Sequence, residues 1–327
     1  MLYFKYTYCN LSRIMIKSNQ FTFGETMKHV FIINPVAGFE NSFITLSEKL
    51  KEFKDKYDIT VHVTSSVKDA TEYVSDYLKN HSGEEVRFYS CGGDGTLGEV
   101  VNGIANNEYA SVTCFPCGSG NDFVKSVGGK ELFSDLESLF NAKNRKIDLI
   151  KVNNGVYSLN AINVGFEARA CKVANNARGK SKNPYLRGVA SALFTAMRNK
   201  ISVEVDGEII NPSGTMLLSS YANGGYVGGK YNCAPRYKVD DGLIEVCLVK
   251  PVSIFKFLRL ISKYERGEHL DSPKFKKIVT YRQAKKVRIF SDKEFDFCVD
   301  GEMYLGKEFI LEICPGILNF AIPEITK

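Results

Sequence analysis

Three glycine-rich segments each follow a short apolar run, and this arrangement limits the folds open to the chain. The apolar runs at 29–33, 86–90 and 111–115 have the length of buried strands. The segments after them are Asn-Pro-Val-Ala-Gly at 34–38, Gly-Gly-Asp-Gly-Thr at 92–96 and Pro-Cys-Gly-Ser-Gly-Asn-Asp at 116–122. A further strand is predicted at 59–64, and helical spacing of apolar residues separates the runs. This βαβαβαβ order predicts a parallel sheet flanked by helices, with ligands at the carboxyl ends of its strands.

The pattern changes after residue 148, where strands predominate. We predict strands at 147–156, 201–205, 215–221, 243–249, 286–290 and 295–299, and only two helices, at 185–198 and 253–264. The 327 residues are enough for two domains, and 44% hydrophobic content supplies more than one core. We therefore expect an α/β domain at 27–147 and a mainly antiparallel β-sandwich at 148–315. Residues 316–327 are expected to form a tail that returns to the first domain.

The first 26 residues do not resemble part of either domain. They mix basic and aromatic residues without the apolar core of a secretory signal, and Met27 stands directly before the first predicted strand. We expect residues 1–26 to be an extension outside the fold. The nine cysteines are irregularly spaced, which is typical of reduced thiols in a cytoplasmic protein.

The segment at 92–96 has the composition of a phosphate-binding loop. Glycines allow the backbone N–H groups to approach an anion, and the helix that follows directs the positive end of its dipole toward the same point. A plain turn would account for one or two of the glycines. It would not account for Asp94, a carboxylate at an anion site, which is typical of a bound Mg²⁺ or of a polar network that orients one.

The two other glycine-rich loops lie, by topology, along the same edge of the sheet. Gly118 and Gly120 can present N–H groups there, Ser119 a hydroxyl and Asp122 a second carboxylate. Each loop alone is a weak signal, because glycine-rich turns between strand and helix are common. Together they predict a nucleotide phosphate site.

Four sequence blocks resemble the diacylglycerol kinase catalytic-domain family, and in particular its soluble bacterial lipid kinases. The family is also similar to sphingosine and ceramide kinases. The blocks are NPVAG at 34–38, GGDGT at 92–96, PCGSGNDF at 116–123, and the pair DDG at 240–242 and VDGE at 299–302. GGDG also occurs in NAD kinases and phosphofructokinases, so the third block and the late DGE select lipid kinases. The resemblance implies an NAD kinase-like first domain followed by a β-sandwich.

The resemblance also implies functional residues, at the positions that match the family's motifs. ATP would be bound by Asn34, Pro35, Gly38, Thr64, Gly92, Gly93, Asp94, Gly95, Thr96, Glu99, Gly118, Ser119 and Asn121. Glu302, with Asp300 beside it, would lie across the cleft as the catalytic acid pair, and Asp94 and Asp122 would hold catalytic Mg²⁺ directly or through water. A structural Mg²⁺ would be held by the Asp241 carboxylate and the main-chain carbonyls of Lys238 and Leu243.

Some of these positions depart from the family or have simpler interpretations. Most relatives have Thr where Ser119 stands, a change that keeps the hydroxyl. They usually have Asn where Gly98 stands, so one side-chain contact near the phosphates is missing here or is made by water. Taken alone, Asp240-Asp241-Gly242 predicts a hairpin turn. The segment at 223–229, with four glycines, is either a flexible loop or the wall of a lipid cleft.

The resemblance implies an ATP-dependent lipid kinase that phosphorylates a lipid hydroxyl, and we expect diacylglycerol as the acceptor. Another lipid alcohol, a sphingoid base or, less favoured, NAD is an alternative acceptor, and a non-catalytic lipid-binding regulator with the same fold is an alternative function. A non-catalytic regulator would have no need of four acidic residues at motif positions, namely Asp94, Asp122, Asp241 and Glu302.

The net charge of +6 is unevenly distributed along the chain. Residues 168–203 and 250–290 are strongly basic, which favours a phosphate-rich partner. We expect the protein to be cytoplasmic and peripheral at the inner membrane face, bound to anionic lipid by these residues, without a nucleic-acid partner; a homodimer is left open. Because no apolar anchor is evident in the sequence, membrane binding is expected to be reversible and salt-sensitive.

Overall fold

The computed structural model describes residues 27–37, 42–153, 155–177 and 184–324. The expected extension at 1–26 therefore lies outside the described residues. No helix in the described ranges is long and apolar enough to cross a bilayer.

The first half of the chain alternates strand and helix. Its elements are β1 (Lys28–Ile33), α1 (Ser42–Lys51), β2 (Ile59–Val63), α2 (Asp69–Asn80), β3 (Val86–Gly92), α3 (Asp94–Ile104), β4 (Ala110–Pro116), α4 (Asp122–Ser126), a 3₁₀ turn (Lys130–Phe133) and α5 (Leu136–Phe140). The four strands are parallel in the order β4-β3-β1-β2. All seven residues of β3 are buried, as a strand covered by helices on both faces requires. The predicted parallel α/β domain is confirmed.

The second half is mainly antiparallel. Its elements are β5 (Lys143–Val152), β6 (Val156–Ser158), β7 (Ala161–Gly165), α6 (Phe166–Ala177), α7 (Pro184–Thr195), β8 (Asn199–Lys200), β9 (Ser202–Val205), β10 (Glu208–Ile209), β11 (Thr215–Met216), β12 (Leu218–Ala222), β13 (Tyr226–Val227), β14 (Tyr231–Asn232), β15 (Ile244–Val249), α8 (Ile254–Glu265), β16 (Val279–Ala284), β17 (Lys286–Val299) and β18 (Glu302–Ile322). The main strands run in the order β16-β15-β12-β7-β17-β18. The expected helices at 185–198 and 253–264 are α7 and α8.

Several features of this half differ from the sequence prediction, in which strands β7, β16 and β18 were absent. The strands predicted at 286–290 and 295–299 form one strand, β17, whose pairing with β18 shifts between Phe290 and Phe295. Helix α6 was not predicted. Its buried face consists largely of alanines, such as Ala170 and Ala174, and gives only a weak hydrophobic pattern.

The central strands of this half separate two apolar layers. Ile162 and Val164 of β7 point into one core, whereas Ala161 points into another, because neighbouring residues of a strand face opposite sides. The second core is covered by α6, α7 and α8, so the three helices lie on one face of the sheet.

The long strand β18 joins the two halves. It pairs with β17 and β5, and near its end Asn319 and Phe320 pair in parallel with Ser111 and Val112 of β4. The hydrogen-bonded sheet is therefore continuous from β16 to β2. The expected boundary at residue 315 falls inside β18.

Candidate active site

The loops after β3 and β4 touch through their backbones. The carbonyl of Gly92 accepts hydrogen bonds from the backbone N–H groups of Cys117 (2.9 Å) and Gly118 (3.1 Å). A Cβ added at Gly118 would lie 2.5 Å from the Cα of Gly93, and one added at Gly92 would lie 2.3 Å from the Thr96 hydroxyl oxygen. The two loops can approach this closely only because these positions are glycines.

The loop after β1 joins the same cluster. The Asn34 side-chain amide donates to the Thr96 hydroxyl oxygen at 3.1 Å, and the Asn34 backbone N–H donates to the carbonyl of Cys91. Thr64 follows β2 and donates its backbone N–H to Ile33, at the end of β1. Pro35 lies in the turn after Asn34, while Gly38 lies outside the described residues.

The amino terminus of α3 is open to an anion. Gly93 precedes the helix in an extended conformation and has no side chain to cap it. The backbone N–H groups of the first turn therefore keep the partial positive charge of the helix end. Gly95 in this turn and Ser119 across the loop are both exposed.

Asp94 and Asp122 lie together beneath these loops. One oxygen of Asp94 accepts the backbone N–H of Asp122 at 2.6 Å and that of Phe123 at 3.3 Å. Burial, then the neighbouring Asp122 charge, raise the pKa of Asp94 to about 6, although the two N–H donors act in the opposite direction. A group with this pKa and a second acid beside it suits a cation, which would relieve the repulsion.

Asp122 also fastens the second half of the chain to the first. Its carboxylate accepts from the Lys125 ammonium at 2.8 Å and from the backbone N–H of Gly229 at 3.0 Å. Lys125 in turn donates to the carbonyl of Gly229. The glycine-rich segment at 223–229 is thus held against the loop after β4.

Glu99 serves a neighbouring helix. Its two carboxylate oxygens accept the backbone N–H groups of Lys68 (3.0 Å) and Ala70 (3.3 Å) at the start of α2. Lys68 is left-handed and supplies no side-chain cap, so Glu99 replaces it. The structure therefore gives this predicted nucleotide contact a capping role.

Asp300 and Gly301 form the two-residue turn between β17 and β18. Both have positive φ angles, 46° and 93°, as a type I′ turn requires, and the flanking residues Val299 and Glu302 are paired. Glu302, the first residue of β18, is exposed at this turn. The predicted catalytic acid is therefore on a tightly defined hairpin with an unobstructed side chain.

The Asp300 side chain points back into the fold. It accepts four hydrogen bonds, from the Ser158 hydroxyl and from the backbone N–H groups of Leu159, Asn160 and Ala161. Burial raises its pKa despite these donors, and its charge also contributes to the raised pKa of Asp94. The turn at Asp300 and Gly301 is therefore close enough to the glycine loops to interact with them electrostatically. The Asp300 side chain itself stabilises the turn between β6 and β7.

The predicted structural metal site lies in the turn before β15. Asp241 accepts the backbone N–H of Leu243 at 3.1 Å, and Gly242 has a φ of 73°. The described residues contain no group of three or more acidic, cysteine or histidine side chains suited to a metal. A structural Mg²⁺ site made of the Asp241 carboxylate and the main-chain carbonyls of Lys238 and Leu243 therefore stays a prediction.

Asp148 is a residue that the sequence analysis missed. It is buried, and its two oxygens accept the backbone N–H groups of Gly242 and Gly316, each at 2.7 Å. It thereby fixes the predicted metal turn to β18. Its partners lie 94 and 168 residues away, so no local pattern could indicate this role.

An apolar cavity of about 50 Å³ lies between the sheet and helices α6–α8. Its one charged lining residue is Glu167, which accepts from the hydroxyls of Ser220 (3.0 Å) and Tyr264 (3.1 Å). Burial raises the pKa of Glu167 to about 7, more than these donors lower it.

Two family models together match most of the chain. The diacylglycerol kinase catalytic domain matches residues 28–152, and the YegS C-terminal NAD kinase β-sandwich-like domain matches residues 160–322. The confirmed fold, a parallel α/β half followed by a β-sandwich-like half, agrees with both descriptions.

Curated relatives and solved structures agree with these models. The chain is 26% identical over 287 residues to a diacylglycerol kinase of Bacillus subtilis, covering 84% of this chain and 90% of that protein. It is 27% identical over 285 residues to one of Staphylococcus aureus, covering 84% and 86%. A crystal structure of a diacylglycerol kinase from Bacillus anthracis superposes with a TM-score of 0.67 at 23% identity, covering 90% of this chain and 96% of that one. At this identity the superposition establishes the fold.

Proposed function

Because the chain belongs to the diacylglycerol kinase catalytic-domain family and is a lipid kinase, we propose that it transfers the γ-phosphoryl group of ATP to diacylglycerol. The product would be phosphatidic acid. The observation that carries this proposal is the convergence of three glycine-containing loops around Asp94, whose pKa is also raised by the charge of Asp300, the neighbour of Glu302 on the β17–β18 turn.

The glycine loops and the start of α3 would bind the ATP phosphates. Gly95 and Ser119 are exposed residues whose backbone N–H groups could donate to phosphate oxygens, and the helix dipole favours the negative charge of phosphate. Asn34 would hold Thr96 in place through their hydrogen bond. This positioning is the main contribution a protein makes to phosphoryl transfer.

Asp94 fits the role of the acid that holds catalytic Mg²⁺. One of its oxygens is fixed by backbone donors, and burial, then the neighbouring Asp122 charge, raise its pKa. Mg²⁺, when bound, neutralises charge that develops on the transferred phosphoryl group. Asp122 already accepts hydrogen bonds from Lys125 and Gly229. We therefore assign it the role of holding the segment at 223–229 against the loop after β4.

Glu302 would accept the proton of the lipid hydroxyl, or orient that hydroxyl for in-line attack on the γ-phosphorus. The oxygen–phosphorus bond to the acceptor forms as the bond to the leaving ADP oxygen breaks. An exposed carboxylate on a rigid type I′ turn suits this role, since the acceptor must reach it from outside.

The Glu302→Gln variant tests this assignment. We expect kcat on diacylglycerol in mixed micelles to fall about 10²- to 10⁴-fold, the range for a positioned general base. ATP affinity, measured by calorimetry, should hardly change because the proposed nucleotide loops are in the first half of the chain. Incubation with labelled ATP and a total lipid extract would identify the acceptor, including a sphingoid base.

Glu308→Gln is the matched control. Glu308 is an exposed glutamate on the same strand and pairs with Arg288 at 2.7 Å, away from the turn. Its loss should leave kcat near the wild-type value. Asp300→Asn is unsuitable as a mild control, because it disturbs four hydrogen bonds and should lower stability. Wild-type turnover by Glu302→Gln would remove Glu302 from the mechanism.

The lipid substrate implies work at a membrane surface. We propose a peripheral protein of the cytoplasmic membrane face, attracted by its basic residues to anionic lipid. Two basic stretches support this: 168–203 contributes α6 and α7, and 250–290 contributes α8 on the same face of the sheet.

A further inference from the structure

Helices α7 and α8 carry large apolar side chains that point into solvent. Phe194 is 84% exposed and Phe255 is 83% exposed, and Leu258 is 55% exposed. Scattered exposed leucines are ordinary, but two phenylalanines with most of their surface in water mark an interaction site.

These side chains are not displaced core residues, because each helix has a separate buried face. Helix α8 buries Phe257, Leu260 and Tyr264, at helical spacing. Helix α7 packs closely on α6 at Gly188, where a Cβ would lie 2.2 Å from the Ala170 carbonyl oxygen. Both helices are therefore apolar on the side that faces the sheet and partly apolar on the opposite side.

The two outer faces point in a common direction. Both helices cover the same side of the sheet, and both line the small apolar cavity, α7 with Val189 and α8 with Phe257, Leu260 and Ile261. Since their inner faces meet over one cavity, their outer faces are turned away from the sheet together.

The same outer faces are basic. Arg187 on α7 and Lys256 and Arg259 on α8 are exposed, and none of them takes part in an ion pair within the described residues. Helix α7 contains no acidic residue, and the single acidic residue of α8, Glu265, pairs with Lys230 at 2.9 Å. Unpaired cations beside aromatic side chains are the composition of a surface that lies in a membrane interface.

We propose that these outer faces form a docking face that binds an anionic lipid bilayer, with Phe194, Phe255 and Leu258 inserted and Arg187, Lys256 and Arg259 on the headgroups. The inference rests on the proposed function, because a kinase of diacylglycerol must take its substrate from a bilayer. Charge favours a bilayer over a second copy of the chain, since two docking faces in contact would oppose their cations.

This docking face changes the expectation drawn from the sequence, in which no apolar anchor was evident. Binding should still weaken with salt because headgroup attraction is screened. A residual part should persist at high salt, because burial of apolar side chains does not depend on ionic strength.

The test is vesicle co-sedimentation without ATP, using vesicles of phosphatidylcholine with about one third phosphatidylglycerol. We expect the double variant Phe194→Ala/Phe255→Ala to lose at least about tenfold in vesicle partitioning and to lose the salt-resistant part. Tyr109→Ala, at a 47% exposed aromatic between β3 and β4 in the first half, is the matched control and should bind normally. Vesicles of phosphatidylcholine alone should bind the wild-type protein more weakly.

Phosphorylation of a short-chain, water-soluble diacylglycerol separates docking from catalysis. The double variant should turn over this monomeric substrate like the wild-type protein and lose activity only on vesicles. Failure of every variant on the soluble substrate would overturn the proposed function and leave the sedimentation result valid. Wild-type vesicle binding by the double variant, or wild-type binding that vanishes at high salt, would overturn the docking face. The docking face would also be overturned if the wild-type protein were a dimer that the double substitution dissociates without changing vesicle binding.

Discussion

Asp94 shows how a single residue can combine a structural and a chemical role. Its backbone donors hold one oxygen, so the side chain cannot rotate away from Asp122. The same confinement raises its pKa, since neither bulk water nor a basic side chain stabilises the charge. The residue is therefore only partly ionised in mildly acidic solution until a cation arrives.

The binding of Mg²⁺ with ATP should consequently depend on pH. Asp94 must be ionised to hold the cation, and its pKa is about 6, so affinity should fall as pH drops below 6. Asp94→Asn keeps an oxygen for the backbone donors but removes the charge, so its affinity should be low at every pH. Calorimetry between pH 5 and 8 measures this affinity. The pH dependence that remains in Asp94→Asn reports the protonation of ATP itself and can be subtracted.

Linkage gives an independent check on the same residue. The folded-state pKa of about 6 exceeds the ordinary value of 3.8, so the folded protein binds more protons between these values. The free energy of unfolding contributed by Asp94 should therefore decrease as pH rises from about 4 to 6. Equal pH dependence of stability in wild type and Asp94→Asn would contradict the raised pKa.

At the scale of elements, the site depends on two loops whose backbones are in contact. Gly118→Ala places a Cβ 2.5 Å from the Cα of Gly93, and neither backbone can move without breaking the bonds to the Gly92 carbonyl. We expect ATP affinity to fall at least about tenfold while the melting temperature changes by only a few degrees.

Gly98→Ala is the corresponding control. Gly98 lies within α3, where an added Cβ meets nothing within 4 Å, and alanine favours helix. ATP affinity should be retained and stability slightly increased. Equal behaviour of the two alanine variants would show that close approach of the loops is not required.

The elements also show what sequence could and could not predict. The glycine loops were predictable because each directly follows a short apolar strand, and two of them precede a helix with periodic apolar residues. Helix α6 was missed because its buried alanines produce little contrast, and the exposed faces of α7 and α8 were missed because Phe194 and Phe255 are residue types of a core. The roles of Asp148 and Asp300 depend on partners more than 90 residues away, which periodicity does not register.

At the scale of the whole molecule, the last strand completes the first core. Phe320 is fully buried there, with its ring 5.3 Å from that of Phe123 and 6.2 Å from that of Phe133. Phe320→Ala should lower the free energy of unfolding by about 3–5 kcal/mol, the usual cost of such a cavity. Chemical denaturation measures this.

The same variant should also weaken ATP binding, although Phe320 is far from the nucleotide loops in sequence. Phe123 is in α4, directly after the loop that carries Gly118 and Asp122, so loss of its packing partner loosens that loop. Tyr304→Ala, at an exposed position of the same strand, should cost little stability. If Phe320→Ala and Tyr304→Ala destabilised the protein equally, β18 would contribute strand pairing but no side-chain packing to the first core.

The position of β18 in the sequence determines when the first half of the chain can complete its fold during synthesis. Strand β4 is made early, but the residues that pair with its free edge, Asn319 and Phe320, are about two hundred positions further along the chain. On the ribosome the first half of the chain would thus expose an unpaired edge and an unfilled core until β18 has been made. A chain halted before that point has all three glycine-containing loops but lacks the strand that completes the core beneath them. Products that end before β18 should therefore be substrates for chaperones and proteases, and phosphoryl transfer would begin only after β18 has been made.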